Sequence, residues 1–310
     1  MADLLHLADK PEGWTSHDVV ARLRGILGER RIGHAGTLDP FASGLLVLGE
    51  GRTTSLLSFI GLLPKRYVAR ALLGVETDTQ DRTGTPMRRS DAIPDLSLVR
   101  EALARFRGRL LQCPPAYSAV KVRGERLYKA ARRGESPERT PRAVHVYALD
   151  LIDASLPEIT LDVTVSRGTY VRTLAHDLGA DLGCGAHLTS LRRVSIGPFQ
   201  VEEALSPARE AGHTAEAFRA RAISPERALS FLPRVMLEHG EAERLRSGVA
   251  PVVEAERVEH STHADPLPPG EPGWPLALLG ADGALIALAR PWEVQRPGRP
   301  VALLRVVAPA

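Results

Sequence analysis

The sequence predicts an α+β fold in which a mixed, mainly antiparallel sheet is flanked by helices and is followed by a small β-rich domain. Two strand-like segments, 142–152 and 158–166, lie close together in the chain, and in the second Leu161, Val163 and Val165 alternate with polar residues. Such alternation is typical of an antiparallel pair with one buried face. Regular strand–helix–strand crossovers are absent from the pattern, which argues against a doubly wound parallel sheet.

The chain is long enough for two domains, because its 310 residues exceed the typical domain size of roughly 100–200 residues. Near residue 231 the sequence changes to short apolar segments separated by Pro- and Gly-rich turns, with a long loop at 259–273. We therefore expect one domain over residues 1–230 and a second, β-rich domain over residues 231–310.

Apolar spacing predicts the other elements of the first domain. Ser16 can cap a helix that stops at Gly28, since glycine favours helix ends. The same reasoning predicts further helices at 97–106, 125–133 and 169–182, and strands at 45–48, 66–73 and 117–122.

Composition excludes several classes of protein. A chain with 44% hydrophobic and 25% charged residues is typical of a globular protein. No stretch approaches the ~18 apolar residues of a membrane span and no leader-like segment is visible, so we expect no membrane association and a place in the cytosol. The two cysteines, Cys113 and Cys184, form no paired motif, which argues against a disulfide framework and a cysteine-rich zinc site.

The most informative segment is a glycine-punctuated run at 33–44, with the sequence GHAGTLDPFASG. It places one carboxylate, Asp39, among turn residues, and its glycines allow the backbone to approach a ligand closely. A phosphate-binding loop is excluded, because Gly28 and Gly33 have the right separation but His34 stands where the lysine is needed. From these residues alone, a tight turn in which Asp39 caps a backbone amide is the favoured interpretation.

Several segments together resemble the bacterial tRNA pseudouridine-55 synthases. The run at 33–44 is similar to the catalytic loop of that family. Four other segments agree with it in order: KPEGWTS at 10–16, QCPPAYSAVK at 112–121, SRGTYVR at 166–172, and the stretch from LRR to GPF at 191–199. The resemblance covers nearly all of residues 1–230. Residues 283–289 and 296–306 are similar to parts of the small RNA-binding PUA domain of these enzymes.

The resemblance implies a catalytic centre of three residues. Asp39 corresponds to the family's nucleophile, and breaking a C–N glycosidic bond and remaking it as C–C requires a group that holds the ribose or the base. Arg172 corresponds to the arginine that pairs with this aspartate. Tyr67 matches a tyrosine that stacks on the flipped uracil. By spacing alone, Arg172 fits a helix surface and Tyr67 fits an ordinary core.

Three further residues are implied as substrate-binding. Leu191 matches an apolar residue of the same pocket, although a leucine is core by default. His34 resembles the histidine that enters the T-loop and fills the space left by the extruded base. Lys10 is expected to contact RNA as well.

The implied reaction is the isomerisation of uridine at position 55 in the T-loop of tRNA. We expect the tRNA T-arm, and by analogy its acceptor end, as the partner, and no obligatory protein partner. Isomerisation involves no net redox change, so no cofactor and no metal is expected. The C-terminal part carries 8 basic and 10 acidic residues, which makes it a weak electrostatic binder of RNA.

Three other functions fit the sequence less well. A zinc base deaminase needs a Pro-Cys-x-x-Cys motif that the chain lacks. A catalytically silent RNA-binding or tRNA-folding protein has no need of Asp39 or Arg172. The related catalytic subunit of guide-RNA-dependent particles ordinarily carries basic tails that are not seen here.

Overall fold

The computed structural model of the chain describes residues 3–118, 121–122, 125–126, 133, 138–260, 273–292 and 298–307. The chain divides into two units. Unit 1 comprises Met1–Asp39, Leu45–Leu63 and Gly197–Ala310, and unit 2 comprises Pro40–Gly44 and Pro64–Ile196.

The helices and strands are numbered in chain order. The α-helices are α1 (Ser16–Leu27), α2 (Leu57–Ile60), α3 (Leu96–Arg105), α4 (Val171–Asp181), α5 (Ala215–Ala220), α6 (Pro225–Ala228) and α7 (His239–Arg246). The first strands are β1 (Leu5–Lys10), β2 (Ile32–His34), β3 (Ser43–Glu50), β4 (Lys65–Leu73), β5 (Val75–Thr77), β6 (Pro86–Arg89), β7 (Gly108–Gln112), β8 (Lys121–Val122) and β9 (Glu125–Arg126). The later strands are β10 (Arg142–Ser155), β11 (Glu158–Val165), β12 (Ala186–Ile196), β13 (Phe199–Gln200), β14 (Arg234–Met236), β15 (Leu276–Leu279), β16 (Leu285–Ala289) and β17 (Leu303–Val306).

Helix α1 is the first element of unit 1 that bears on the Asp39 loop, the name used here for residues 33–44. Thr15 caps the helix in a reciprocal capping box with Asp18, and the left-handed Gly28 ends it. Its apolar face packs against residues of β1, β2 and β3 in one buried cluster. Because Thr15 is the cap, the hydroxyl of Ser16 is available for another contact. It donates to the carbonyl of Leu38 at 3.2 Å and accepts from the Leu38 amide at 2.8 Å.

Unit 2 is built on a sheet in which β12, β4, β11, β10 and β7 are neighbours in that order. All four of these pairings are antiparallel. The first two residues of β3 add a parallel pairing, Ser43 with Arg192 and Gly44 with Arg193. Helix α4 packs against β12 and β4. The predicted α+β class, with a mixed and mainly antiparallel sheet, is therefore confirmed.

Two irregularities in β12 decide which of its side chains face inward. The pairing with β4 shifts register between Leu188 and Ser190 and again between Arg193 and Ser195. Each shift inserts one extra residue into β12 and resets its alternation. As a result Leu191 lies opposite Ala69 and Arg193 lies opposite Tyr67, on the buried side of β4.

The C-terminal strands β14, β15, β16 and β17 form a second sheet in that order. β14 and β15 are parallel, and the other pairings are antiparallel. A buried apolar cluster whose members run from Val235 to Val301 lies within this part of the chain. These short strands are what the sequence predicts for residues 231–310; the boundary at residue 231 stays a prediction.

Several sequence expectations need correction or fall outside the described residues. The cap of α1 is Thr15 and not Ser16. Glu125 and Arg126 form a short strand with Lys121 and Val122, so the helix predicted over 125–133 does not begin there; most of its remainder lies outside the described residues. Most of the predicted loop at 259–273 is likewise not described.

Gly44 is the residue that permits the parallel pairing of β3 with β12. Its φ is +105°, and a Cβ added there would lie 2.7 Å from the amide nitrogen of Arg193 and closer still to the carbonyl oxygen of that residue. Gly28 also has a positive φ, +69°, but nothing lies within 4 Å of the place that a Cβ would occupy. A side chain at Gly44 would therefore cause both backbone strain and steric overlap, whereas a side chain at Gly28 would cause backbone strain alone.

We predict that Gly44→Ala lowers the free energy of unfolding by about 3 kcal/mol or more, because it adds overlap with backbone to strain. Gly28→Ala should cost only about 1 kcal/mol, since it adds strain alone. Denaturant unfolding of both variants measures the difference. Equal losses would show that the approach of Gly44 to Arg193 is not a constraint.

Candidate active site

The Asp39 loop is anchored to the start of α1. The two hydrogen bonds between Ser16 and Leu38 fix the residue that directly precedes Asp39. Asp39 itself is half-buried and follows β2 by five residues. Within unit 1, the packing of α1 thus determines where the backbone of Asp39 lies.

Lys10 and His34 are the other predicted site residues of unit 1. The side chain of Lys10 is fully buried, and its ammonium donates to the carbonyls of Pro11 at 3.0 Å and Trp14 at 2.6 Å. These bonds brace the turn that leads into α1. His34 is half-buried at the end of β2, opposite Leu48 of β3. The RNA contacts expected of Lys10 and His34 stay predictions.

Tyr67 and Leu191 lie on one face of the sheet in unit 2. Tyr67 is paired with Arg193 on β12 and with Val163 on β11. Leu191 is paired with Ala69, the next inward residue of β4. Since directly opposed residues of antiparallel strands point to the same side, Tyr67 and Leu191 are diagonal neighbours. They are 9% and 6% exposed, respectively.

The same face carries a buried lysine beside two arginines. Lys65 precedes Tyr67 by two residues and is 6% exposed, and Arg193 is 1% exposed. Burial lowers the pKa of Lys65 to about 7, and the positive charges of Arg193 and Arg167 act in the same direction. A cationic region thus adjoins Tyr67, and its charge changes near neutral pH.

Arg172 is buried in unit 2, so the interpretation of this residue as a helix-surface arginine is wrong. It is 3% exposed and is the second residue of α4. One guanidinium nitrogen, Nη1, donates to the carbonyl of Thr79 at 2.8 Å and to the carboxylate of Asp81 at 3.0 Å. The other, Nη2, donates to the carbonyl of Tyr117 at 2.9 Å. We call these three acceptors, from Thr79, Asp81 and Tyr117, the Arg172 socket.

Asp81 is a site residue that sequence reasoning misses. Its Oδ1 accepts from the hydroxyl of Thr79 at 2.8 Å and from the amide and hydroxyl of Thr83 at 2.9 and 2.5 Å. Its Oδ2 faces Arg172. The carboxylate is therefore oriented from both sides. The signal in the sequence is the run of Thr77, Thr79 and Thr83 around it, because threonine hydroxyls near an aspartate can satisfy a buried carboxylate.

Gln112 is a second residue of the candidate site whose role the sequence does not reveal, although it belongs to the motif at 112–121. It is 4% exposed, and its carboxamide binds both backbone groups of Tyr170. Its Nε2 donates to the carbonyl at 3.0 Å, and its Oε1 accepts from the amide at 2.7 Å. Tyr170 is the cap residue of α4, and no side-chain cap bond is present there. Gln112 thereby fixes the start of the helix that carries Arg172.

The predicted site residues fall into two groups. The structure places Lys10, His34 and Asp39 in unit 1 and Tyr67, Leu191 and Arg172 in unit 2, where Tyr67 and Leu191 are neighbours in the sheet and Arg172 lies in α4. The predicted pairing of Asp39 with Arg172 stays a prediction. Within the described ranges, no cluster of three histidine, cysteine or acidic side chains suits a metal ion. Across the same ranges, no helix is both long and apolar enough to span a membrane.

Two protein-family models together match residues 24–217, which include every predicted site residue except Lys10. Residues 24–171 match the model of the TruB family pseudouridylate synthase N-terminal domain. Residues 172–217 match the tRNA pseudouridylate synthase B C-terminal domain. The junction between the two matches falls immediately before Arg172.

Curated relatives agree over nearly the whole chain. The chain is 43% identical over 287 residues to tRNA pseudouridine synthase B of Geobacter sulfurreducens, a match that covers 91% of each protein. It is 42% identical over 298 residues to the protein of that name from Thermobifida fusca, covering 93% of this chain and 94% of the relative. Among solved structures, a chain in the crystal structure of a Cbf5–Nop10–Gar1 complex superposes with a TM-score of 0.73 and 26% identity, covering 99% of this chain and 85% of that one.

These matches define the class of enzyme: the chain belongs to the TruB family of pseudouridylate synthases. Its fold is the pseudouridine synthase fold, and the family expected from the sequence motifs is confirmed. The reaction that it catalyses is the isomerisation of uridine to pseudouridine in tRNA.

We predict that the stability contributed by Lys65 rises with pH above neutrality. The folded-state pKa of about 7 lies below the ordinary value of 10.5 for a solvated lysine, so between these values the unfolded chain binds more protons. The free energy of unfolding of the wild type, relative to Lys65→Met, should therefore increase by about 2 kcal/mol from pH 7 to pH 9. Below about pH 6 both states are protonated and the difference should be flat. A difference that stays constant from pH 7 to pH 9 would contradict the lowered pKa.

Proposed function

We propose that the enzyme acts on the uridine at position 55 in the T-loop of tRNA, flips it out of the loop and isomerises it with Asp39 as the nucleophile. Residues 1–230 form the catalytic domain in this proposal, and the T-arm is the part of the tRNA that they bind. The motif match at residues 33–44 and the relatives' common activity on tRNA support this assignment.

The reaction can be balanced without a cofactor. The bond between N1 of uracil and C1′ of the ribose breaks, and a bond between C5 and C1′ forms. C5 loses its hydrogen as a proton, and N1 gains a proton. Because no electrons leave the nucleotide, the protein has only to hold the detached base and ribose, orient them and move protons. A carboxylate can act as the nucleophile at neutral pH without prior activation.

Chain connectivity supports a common role for Asp39 and the residues of unit 2. Asp39 ends the first segment of unit 1, and the chain enters unit 2 at Pro40. Ser43 and Gly44 then pair with β12 next to Leu191. In the proposed site Asp39 attacks, Tyr67 stacks on the flipped uracil, and Leu191 supplies an apolar wall.

The burial of Arg172 is the observation that carries the proposal. A guanidinium that is 3% exposed and held by three acceptors has a fixed orientation, unlike a surface arginine. In the proposed site it pairs with Asp39 and keeps that carboxylate ionised and aligned. Asp81 would then serve as the counter-charge that keeps Arg172 in place when Asp39 engages the nucleotide.

The remaining residues are proposed to serve binding. His34 fills the space that the extruded base leaves in the T-loop. For Lys10 we propose contact with RNA beside the turn before α1, which its ammonium braces by donating to the carbonyls of Pro11 and Trp14. Residues 231–310 are proposed to form a PUA-like RNA-binding domain that touches the acceptor end.

We predict that Asp39→Asn abolishes pseudouridine formation and leaves tRNA affinity within about threefold. The amide keeps the shape of the carboxylate but lacks its charge and nucleophilicity. Release of tritium from [5-³H]uridine-labelled tRNA measures turnover, and filter binding measures affinity. Asp91→Asn, at an exposed loop position, is the matched control and should behave as wild type. Turnover by Asp39→Asn within tenfold of wild type would refute the nucleophile assignment.

We also predict that Arg172→Lys lowers kcat by at least about 100-fold, because one ammonium cannot reach the Arg172 socket and a carboxylate at the same time. Arg100→Lys on the exposed side of α3 is the control for the same change of side chain. The same tritium assay with saturating tRNA gives kcat. If Arg172→Lys turns over within threefold of wild type, the fork geometry of Arg172 has no part in the reaction.

A further inference from the structure

Gln80 has an unusual backbone conformation beside the Arg172 socket. Its φ is +62°, and no other non-glycine residue in the described ranges has a positive φ. A side chain with a Cβ disfavours this left-handed region, which glycine enters readily. Gln80 is half-buried and lies between two residues of the socket, Thr79 and Asp81.

The left-handed turn at Gln80 allows both of its neighbours to reach the same nitrogen atom. The carbonyl of Thr79 and the carboxylate of Asp81 both accept from Nη1 of Arg172, at 2.8 and 3.0 Å. In an extended strand, the carbonyls lie in the plane of the sheet and the side chains stand out of that plane. A turn between Thr79 and Asp81 therefore lets a backbone oxygen of one and a side chain of the other converge.

Hydrogen bonds to Gln80 hold this conformation. The hydroxyl of Thr173 donates to Oε1 of Gln80 at 2.8 Å, and the amide of Leu188 donates to its carbonyl at 3.1 Å. Thr173 is 2% exposed and directly follows Arg172 in α4. The bond between Thr173 and Gln80 thus joins the helix that carries the guanidinium to the turn that carries two of its acceptors.

We propose that Gln80 is a positioning residue for the reaction. Its left-handed backbone, held by Thr173, sets the direction of the Arg172 guanidinium without contact with the nucleotide. The proposal rests on the proposed catalytic role of Arg172. Because the effect passes through the orientation of Arg172, a change at Gln80 should alter kcat and leave the binding of tRNA unchanged.

Two substitutions at position 80 separate the backbone from the side chain. Gln80→Ile introduces a β-branched residue that resists a positive φ, and we expect kcat to fall at least about tenfold with KM for tRNA within threefold. Gln80→Gly adopts the left-handed region without strain and should keep at least a third of the wild-type kcat. Gln200→Ile is the matched control, because Gln200 is exposed and has an extended backbone with φ −113°. It should leave both constants within twofold.

A double-mutant comparison tests the bond with Thr173. Thr173→Val removes the donor and keeps the shape, so a strained Gln80 can relax; we expect roughly a five- to tenfold loss of kcat. In a Gln80→Gly background the left-handed turn needs no support, and Thr173→Val should change kcat less than about twofold. The effects of Thr173→Val in the wild-type and Gln80→Gly backgrounds test the positioning role even if Gln80→Ile does not fold.

Three outcomes would overturn the proposal. They are a Gln80→Ile enzyme with kcat within twofold of wild type, equal losses in Gln80→Ile and Gln80→Gly, and additive losses from Gln80→Gly and Thr173→Val. Measuring Arg172→Lys in the same assay distinguishes the two levels of failure. If Arg172→Lys is inactive and Gln80→Ile is not impaired, the positioning role alone is wrong. If Arg172→Lys is fully active, the proposed role of Arg172 and this inference both fail.

Discussion

A guanidinium enclosed by protein is the constraint around which unit 2 is arranged. Removing a charge from water costs several kcal/mol unless it is paired and fully hydrogen-bonded. Arg172 is paired with Asp81 and donates to the carbonyls of Thr79 and Tyr117, acceptors that lie 55 to 93 residues away in the chain. Asp81 needs its own donors from Thr79 and Thr83. The sheet, α4 and the loops before β6 and after β7 must all be in place before this pair is stable, so folding of unit 2 and assembly of the Arg172 site are one process.

The parts of the fold that depend on local pattern could be predicted from the sequence. Alternation predicts β11, and the chain folds back on β10 as expected. The cap of α1 is one residue from its predicted place, because Thr15 and Ser16 are both good caps and only the capping box with Asp18 distinguishes them. The helix expected at 125–133 does not begin at residue 125. The apolar residues in 121–126 follow neither helical nor strand spacing strongly, and two short strands pair there.

Only those residues of the candidate site that the family resemblance covers could be predicted from the sequence. Asp39, Tyr67 and Arg172 are suggested by resemblance, but no local pattern links Asp81 to Arg172 or Gln112 to Tyr170, because these partners are 91 and 58 residues apart. Burial is equally invisible in the sequence. The sequence suggests Lys10 only as a cation for RNA, and the structure adds that its side chain is buried and donates to two carbonyls of the turn before α1. A lysine that is charged in solution and a lysine whose ammonium is hydrogen-bonded inside the protein are the same letter in a sequence.

The two register shifts in β12 have a consequence for how the enzyme can change over evolution. They bracket a short stretch that includes Leu191 and Arg193, and the strand on either side keeps its own alternation. The inward positions between the shifts are constrained as core in the same way as the ends of β12, because Leu191 and Arg193 are buried opposite Ala69 and Tyr67 of β4. A substitution at either position has to be accommodated by its partner on β4, so over evolution these positions should change as pairs across the two strands.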